Sequence, residues 1–448
     1  MSSTYRSTSE AKISNSNDAT AQTLRGYSNS DAPSDAIYNR CVRCGLCLSS
    51  CPTYLETLTE TSGPRGRISL IKSVGEGQLD LLSPGFVDQM SECLGCRACE
   101  AVCPSGVHYG QLIETARAQI VRVDPGGFWE RFGRWFAFRF LFGRLRRLRA
   151  VAAMLRFYQR SGLQQFARRC GLLRLLKLER TERLAPAISS SFFVPSGQRF
   201  TVSGSRATVF LHAGCIMHIA YADVDRATVR MLNRAGFTVV VPPGQGCCGA
   251  LSVHAGERDA GRALARRNIE AFERSGADLY IVNAAGCGAA LKEYGEWFAD
   301  DPRWAQRAAA FSAKVRDVIE VLADGQLPAT DRRIEETVTY QEPCHLAHAQ
   351  RIAHAPRALL RLVPGLQLVE MAESSVCCGS AGIYNLTEPE MSERLGRRKI
   401  ENARATGAQI IATANPGCAL QLRAMLAENG AATRVAHVIE LLDEAYSS

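Results

Sequence analysis

At 448 residues and 46% hydrophobic content, the chain is long enough for about three domains and apolar enough to give each a core, so it is expected to be globular. Seventeen cysteines would suit a secreted disulfide scaffold only in a short chain. The opening MSSTYRSTSEAKISNSNDAT lacks the apolar run of a secretory signal, so the cysteines read as metal ligands in a reducing compartment. The formal charge of +9 is uneven: residues 131–183 carry 14 Arg and one Lys against Glu179 and Glu182, which reads as a local docking surface and argues against nucleic-acid binding.

In chain order, residues 1–35 are rich in Ser, Thr, Asn and Asp and are expected to form a disordered tail. Residues 36–122 follow as a cysteine-rich, α-helical unit. Its runs CVRCGLCLSSCP and CLGCRACEAVCP place Cys41, Cys44, Cys47, Cys51 and Cys93, Cys96, Cys99, Cys103 in two C-x2-C-x2-C-x3-C-P patterns. Three thiolates from one tight loop grip a cubane, while the fourth, turned away by the following Pro, ligates the other cluster. The expected [4Fe-4S] ligand sets are therefore Cys41, Cys44, Cys47, Cys103 and Cys93, Cys96, Cys99, Cys51. Paired zinc knuckles would not need three ligands so crowded. Between the motifs, GPRGR supplies Arg65 and Arg67, which either offset cluster charge and shift a potential or face solvent.

Residues 123–205 read as a basic connector in which aromatic and aliphatic residues interleave with arginines as in amphipathic helices. Cys170 is expected there as an ordinary apolar residue, and 184–205 has the Pro, Ser and Gly of a linker. No stretch approaches the length of a membrane-spanning helix. The arginine-aromatic spacing suits a partner groove or an anionic bilayer surface.

The remainder is a repeat, over 206–330 and 331–448. Cys215, Cys247, Cys248 and Cys287 recur as Cys344, Cys377, Cys378 and Cys418, displaced by 129, 130, 130 and 131 positions. Short β-rich runs alternate with helical patterns in both copies, predicting parallel α/β layers with the cysteines just after strands, at the carboxyl edge where such sheets place ligands. The whole is thus an α+β multidomain chain. Adjacent cysteines make poor disulfides, because a trans peptide holds their Cα atoms about 3.8 Å apart. A following Gly permits positive φ, and a helix N-terminus beneath the pair would favour thiolate. Each quartet is therefore a candidate metal or cluster site, with buried or redox-active thiols as the alternative. His212, His218, His254, His345, His348 and His354 lie near these motifs and read as packing or supporting groups.

Cys, about thirty residues, Cys-Cys-Gly, then just under forty residues and a final Cys resembles the CCG domain found in the B subunit of heterodisulfide reductase, in the C subunit of anaerobic glycerol-3-phosphate dehydrogenase and in the glycolate oxidase iron-sulfur subunit. GPRGR, GCCGA, GCGAALKEYG, CHLAHAQ, CCGSAG and TANPGC, in that order across residues 36–446, are most similar to the glycolate oxidase iron-sulfur subunit family. The fullest CCG pattern ends in CxxC; Ala284 and Asn415 stand at its first cysteine, so four thiolates remain per copy, enough for a cubane or for zinc. The resemblance implies two [4Fe-4S] clusters, with iron-sulfur or zinc centres in the CCG domains left open. It further implies a flavin-bearing dehydrogenase partner, a second flavoprotein-like subunit, and a quinone or membrane surface as electron sink. The location implied is cytoplasmic, peripheral on the inner membrane. No G-x-G-x-x-G after a strand and no P-loop occurs, so oxidation of a 2-hydroxy acid such as glycolate is expected on the partner chain. The alternatives are a heterodisulfide-reductase-like thiol/disulfide subunit and the iron-sulfur subunit of a glycerol-3-phosphate or lactate dehydrogenase.

Overall fold

The computed structural model describes residues 24–28, 31–176, 178–325, 327–330, 332–428 and 432–446. The cysteine-rich unit is helical. Its helices Pro52–Thr57, Pro64–Gly75 and Pro84–Glu92 each open on a proline, whose fixed φ and missing N–H suit a first turn. With Tyr109–Val123 they enclose a core of Ile71, Val74, Leu81, Phe86, Met90, Leu112 and Ile113. Cys41, Cys44, Cys47 and Cys51 precede the helix at Pro52, Cys93 and Cys96 lie in the loop after Glu92, Cys99 lies in the short helix Ala98–Ala101, and Cys103 follows it.

The disorder expected over 1–35 does not hold for its described part. The Leu81 N–H donates to the Arg25 carbonyl at 2.9 Å, Tyr27 donates its hydroxyl to the Ile71 carbonyl at 3.0 Å, and Asp31 pairs with Arg258 at 3.2 Å and Arg262 at 2.5 Å. Residues 1–23, 29 and 30 lie outside the described residues. A polar composition cannot reveal such anchoring, because every partner is distant in sequence. Asp31→Ala is expected to cost about 1–3 kcal/mol, since it strips a largely buried Arg258 of its carboxylate. Anoxic thermal unfolding would register this as a lowered midpoint.

The repeat builds two sheets. In the first, β1 (Gln198–Phe200), β2 (Ala207–Leu211), β3 (Phe237–Val241), β4 (Leu279–Val282) and β5 (Val315–Asp317) lie in the order β1-β3-β2-β4-β5. In the second, β6 (Thr337–Tyr340), β7 (Gln367–Val369), β8 (Ile410–Thr413) and β9 (Arg434–His437) lie in the order β7-β6-β8-β9. Only β1 runs antiparallel. It comes from the stretch expected to be a linker, which thus adds an edge strand to the first sheet. Without β1, both copies share one order, second-first-third-fourth. Strands such as FTVVV (237–241) are buried throughout, as parallel strands covered on both faces must be.

Ala222–Arg234, after the first strand of copy one, packs on the final helix Val438–Tyr446, and the equivalent pair Ala355–Arg361 and Val318–Asp324 packs likewise. This reciprocal contact gives the copies an approximate two-fold relation and one continuous apolar core, with Arg230 and Asp443 paired across it at 2.6 Å.

The basic connector is helical over Phe128–Arg134, Leu145–Arg160 and Leu163–Arg169, with a π-helical turn at Trp135–Leu141. Leu145, Leu148 and Ala152 dock on the core of the repeat. The opposite surface leaves Phe128, Trp129, Phe132, Trp135, Phe157 and Phe166 exposed. Cys170 is exposed too, not packed as its apolar reading implied. No described helix is long and apolar enough to cross a membrane.

Candidate iron-sulfur sites

Two cavities lie in the helical unit. One is lined by Cys41, Cys44, Cys47 and Cys103, with Cys99 at its wall. The other is lined by Cys93, Cys96, Cys99 and Cys51. The last cysteine of each motif therefore faces the cavity of the other: Pro52 opens a helix directly after Cys51, and Pro104 opens a turn directly after Cys103. The two cavities differ in exposure: Cys44 is open to solvent and Cys41, Cys47 and Cys103 are half-buried, whereas Cys51, Cys93, Cys96 and Cys99 are buried.

Both arginines of GPRGR stand beside cysteine sites. Arg65 lines the first cavity at its partly exposed edge and pairs with Glu60 at 2.5 Å. Arg67 is almost fully buried beside the second cavity, donating to Thr53 Oγ1 at 3.0 Å, to the Gln89 carbonyl at 2.8 Å and to Glu92 at 2.8 Å. Burial works against ionisation of the Cys93 thiol, but Arg67, Arg117 and the Tyr109 hydroxyl, which donates to its sulfur at 3.4 Å, hold it below the usual thiol value. A buried cation stabilises added negative charge more strongly than a solvated one. Arg67→Leu is expected to lower the reduction potential of the centre at Cys51, Cys93, Cys96 and Cys99, and Arg67→Lys to lower it less. EPR-monitored redox titration of the two variants against the unmodified protein reads this directly.

The CCG cysteines stand at the carboxyl ends of their strands. Cys215 follows β2, Cys247 and Cys248 follow β3, and Cys287 follows β4; Cys344, Cys377, Cys378 and Cys418 follow β6, β7 and β8 in the same way. Sulfurs approach to 3.5 Å between Cys215 and Cys247 and to 4.0 Å between Cys344 and Cys377, well beyond the roughly 2.05 Å of a disulfide. Gly249 and Gly379 both adopt φ +86, and a Cβ at Gly379 would meet the Ser392 carbonyl oxygen at 2.5 Å. Only glycine admits this turn behind the cysteine pair. The helix N-terminus expected beneath each pair is present only in the first copy, as the short Ala250–His254. In the second copy the chain turns instead, and the next helix is Tyr384–Thr387.

Within each quartet the thiols split. Bonds from Cys215 and Cys248 hold Cys247 well below the usual thiol value, and bonds from Cys248 and then His212 bring Cys287 down to about 6, while Cys215 and Cys248 are pushed up. In the second copy Cys344 is pulled down by its bond to Cys377 and by His345, and Cys378 by its bonds to Cys377 and Cys418, while Cys377 and Cys418 rise. Two thiols of each set are thus favoured as thiolates and two are disfavoured. His345 buries its Nε2 atom without a hydrogen-bond partner, and its Nδ1 lies 3.6 Å from Cys344 Sγ. Asn415, in the place of the fifth cysteine, donates to Cys418 Sγ at 3.4 Å and accepts from the Gly286 N–H at 3.1 Å, so it ties the second site to the loop of Cys287. Ala284, its counterpart, is buried and makes no such bridge through its side chain.

No group of three or more His, Cys, Asp or Glu side chains among the described residues is spaced to hold a single metal ion. A multi-iron cluster takes one thiolate per iron, so its ligands stand apart around a cavity. The cysteine-lined cavities of the helical unit fit that chemistry.

The helical unit and the repeat meet through buried charge that the motifs did not reveal. Arg97, in the second cysteine loop, forms a two-point ion pair with Glu293, its Nη2 at 3.1 Å. Burial works to raise the Glu114 carboxyl, but His254, at 3.1 Å, together with Arg97 and Arg258 holds it down to about 2. Arg117 donates to the carbonyls of Met90 at 2.9 Å and His254 at 3.1 Å. Leu94, Cys96 and Ala98 share an apolar cluster with Cys344, Cys377 and Tyr384, so the second cysteine loop abuts the second CCG site.

Fold and sites define an iron-sulfur protein in which a two-cluster ferredoxin unit is joined to tandem cysteine-rich domains. Residues 37–107 match the family described as 4Fe-4S dicluster domain, 209–292 and 338–423 the cysteine-rich domain CCG, and 129–185 the linker region of the glycolate oxidase iron-sulfur subunit. The chain is 42% identical to the probable glycolate oxidase iron-sulfur subunit of Bacillus subtilis (strain 168), over 90% of this chain and 93% of that protein. It is 34% identical to the glycolate oxidase iron-sulfur subunit of Escherichia coli (strain K12), over 92% and 95%. With the B subunit of the fumarate reductase (CoM/CoB) of Methanothermobacter marburgensis it shares 31% identity, over 91% of this chain and 72% of that protein. The chain belongs to the glycolate oxidase iron-sulfur subunit family.

Proposed function

We propose that this chain is the electron-transfer subunit of a flavin-dependent complex that oxidises glycolate, and that a partner subunit performs the chemistry at carbon. Its units are 36–122 for the ferredoxin-like part, 123–205 for the connector, and 206–330 and 331–448 for the two CCG copies. Cys41, Cys44, Cys47 and Cys103 would hold one [4Fe-4S] cluster, and Cys93, Cys96, Cys99 and Cys51 the other. Bound there, the clusters supply reversible one-electron chemistry that no side chain of this chain offers. The CCG quartets Cys215, Cys247, Cys248, Cys287 and Cys344, Cys377, Cys378, Cys418 would hold further centres.

The observation that carries this reading is a run of cysteine sites from the surface inward. Exposed Cys44 marks the end accessible to a partner's flavin, and Cys96 and Cys344 share one apolar cluster at the other end. Arg67 and Arg117 supply positive charge beside the inner loop, and the apolar walls around Leu94 keep water from it. The full-length relatives named for glycolate oxidase support the choice of substrate. Anoxic reconstitution with a flavoprotein partner tests it: electron transfer from glycolate to a quinone analogue should require both chains, and oxidation of glycolate by this chain alone would refute the reading.

The exposed aromatic face of the connector supports docking at an anionic bilayer near a quinone sink. Trp129 is 78% and Trp135 50% exposed, amid arginines, the composition of an interfacial helix. Replacing Trp129, Phe132 and Trp135 together by Ser should lower partition onto anionic liposomes by more than about tenfold, measured by flotation. Unchanged flotation would remove the membrane role.

A second reading, thiol/disulfide redox chemistry at the CCG sites, is supported by the 3.5 Å approach of Cys215 and Cys247 and by the relative named for CoM/CoB. Reduction of a small disulfide by the electrochemically poised protein, abolished by Cys378→Ser, would favour it.

A further inference from the structure

Among the differences between the two CCG sites, one at a buried helical position places a basic side chain where the other copy has an amide. The helix before the third parallel strand reads RRNIE at 266–270 in the first copy and RRKIE at 397–401 in the second. Asn268 and Lys399 are therefore equivalent, 131 positions apart, the same displacement as Cys287 to Cys418. Both are buried. Asn268 accepts from the Gly246 N–H at 2.8 Å and donates to the Cys247 carbonyl at 3.0 Å, bracing the first cysteine pair with neutral hydrogen bonds. Lys399 instead donates to the carbonyls of Glu373 and Ser374, at 2.5 and 3.2 Å, on the segment that leads into Cys377 and Cys378. Burial pulls the Lys399 ammonium below its usual value, and Cys378, Cys377 and Cys418 act electrostatically against that fall. The nearby Glu373 carboxylate is itself bound by Arg398 at 2.6 Å. At the first site the basic group is an imidazole, His212, held at 2.7 Å by the Tyr280 hydroxyl.

The sites also differ in position. Cys344 and Cys377 share an apolar cluster with Cys96 of the ferredoxin unit, whereas Cys215, Cys247 and Cys248 belong to the core of the repeat. An electron leaving the inner ferredoxin site therefore meets the second CCG site first.

We propose that Lys399 is a positioning residue that raises the reduction potential of the centre at Cys344, Cys377, Cys378 and Cys418 above that of its twin, and so makes the second site the acceptor of electrons from the ferredoxin unit. This rests on the reading that the CCG sites bind iron-sulfur centres. Reduction adds one negative charge to a thiolate-ligated group, and a buried cation lowers the energy of the reduced state where an amide does not. One electron passes between two carriers, and no bond forms or breaks.

The test exchanges the two residues in the full chain, as Lys399→Asn and Asn268→Lys, purified without oxygen. Iron and sulfide are quantified and every centre is titrated by EPR. Lys399→Asn should move one centre to lower potential at unchanged iron content, and Asn268→Lys should move a different centre upward. Unmoved potentials in both variants overturn the proposal. If Lys399→Asn fails to retain its iron, the upward shift in Asn268→Lys decides alone. About eight irons per unmodified chain, the content of two cubanes, would instead refute the underlying reading of iron at the CCG sites, and the proposal with it.

Discussion

Cys51→Ser is expected to remove the cluster of the other motif, not of its own. Its thiol lines the cavity of Cys93, Cys96 and Cys99, and Pro52 begins a new helix that carries Cys51 away from Cys41, Cys44 and Cys47. The spectrum of Cys51→Ser should therefore match that of Cys96→Ser, and Cys103→Ser should match Cys44→Ser. Each variant should lose about four irons per chain. In the reconstituted complex, Cys51→Ser should slow transfer from glycolate to a quinone analogue by at least about 100-fold, at the top of the range for losing a supporting group or beyond it. Reduction of the partner's flavin by glycolate should continue. If Cys51→Ser and Cys44→Ser abolished the same EPR signal, the crossed assignment would be wrong.

Glu293→Leu is the second large effect, expected in stability. The Arg97 guanidinium is buried at the junction of the ferredoxin unit and the first CCG copy, and Glu293 is its two-point carboxylate partner. Removing one member of a buried pair leaves an uncompensated charge and costs about 3–5 kcal/mol. Replacing both by apolar residues, as Arg97→Met with Glu293→Leu, should recover much of that loss, because the desolvation cost disappears with the charge. Anoxic thermal unfolding of the four proteins in the cycle gives the coupling. Limited proteolysis near Asp124–Gly127 should report loosening of the ferredoxin unit in Glu293→Leu. Equal midpoints for the single and unmodified proteins would show that the pair does not hold the units together.

Local spacing was informative wherever the chemistry is local. The C-x2-C-x2-C-x3-C-P runs define tight loops in which three thiols must converge, and the four constant displacements of the CCG cysteines define a duplication. Parallel strands that must be buried on both faces read as apolar runs, so parallel layers were legible in the pattern while their strand order was not. Periodicity in the connector reports which residues can share a face, as Leu145, Leu148 and Ala152 do against the core of the repeat. Asp31 and Arg25 were invisible because their partners, Arg258, Arg262 and Asp80, stand far along the chain. Strand β1 was missed since an edge strand of three residues, only partly buried, carries almost no pattern. RRNIE and RRKIE were legible as letters, but a lysine on a helix is ordinarily solvated, and only its burial gives the exchange meaning.

The sequence by itself determined that sixteen cysteines lie in motifs, that half of them belong to a duplication, and the kind of chemistry such motifs serve, because ligand loops and repeats are encoded in short spacings. Tertiary structure decided which sites are neighbours. That Cys96 lies against Cys344, that Arg97 finds Glu293, and that Lys399 is shut away beside Cys378 depend on how separately folded layers pack. Packing brings together residues hundreds of positions apart, and burial then fixes how strongly their charges act.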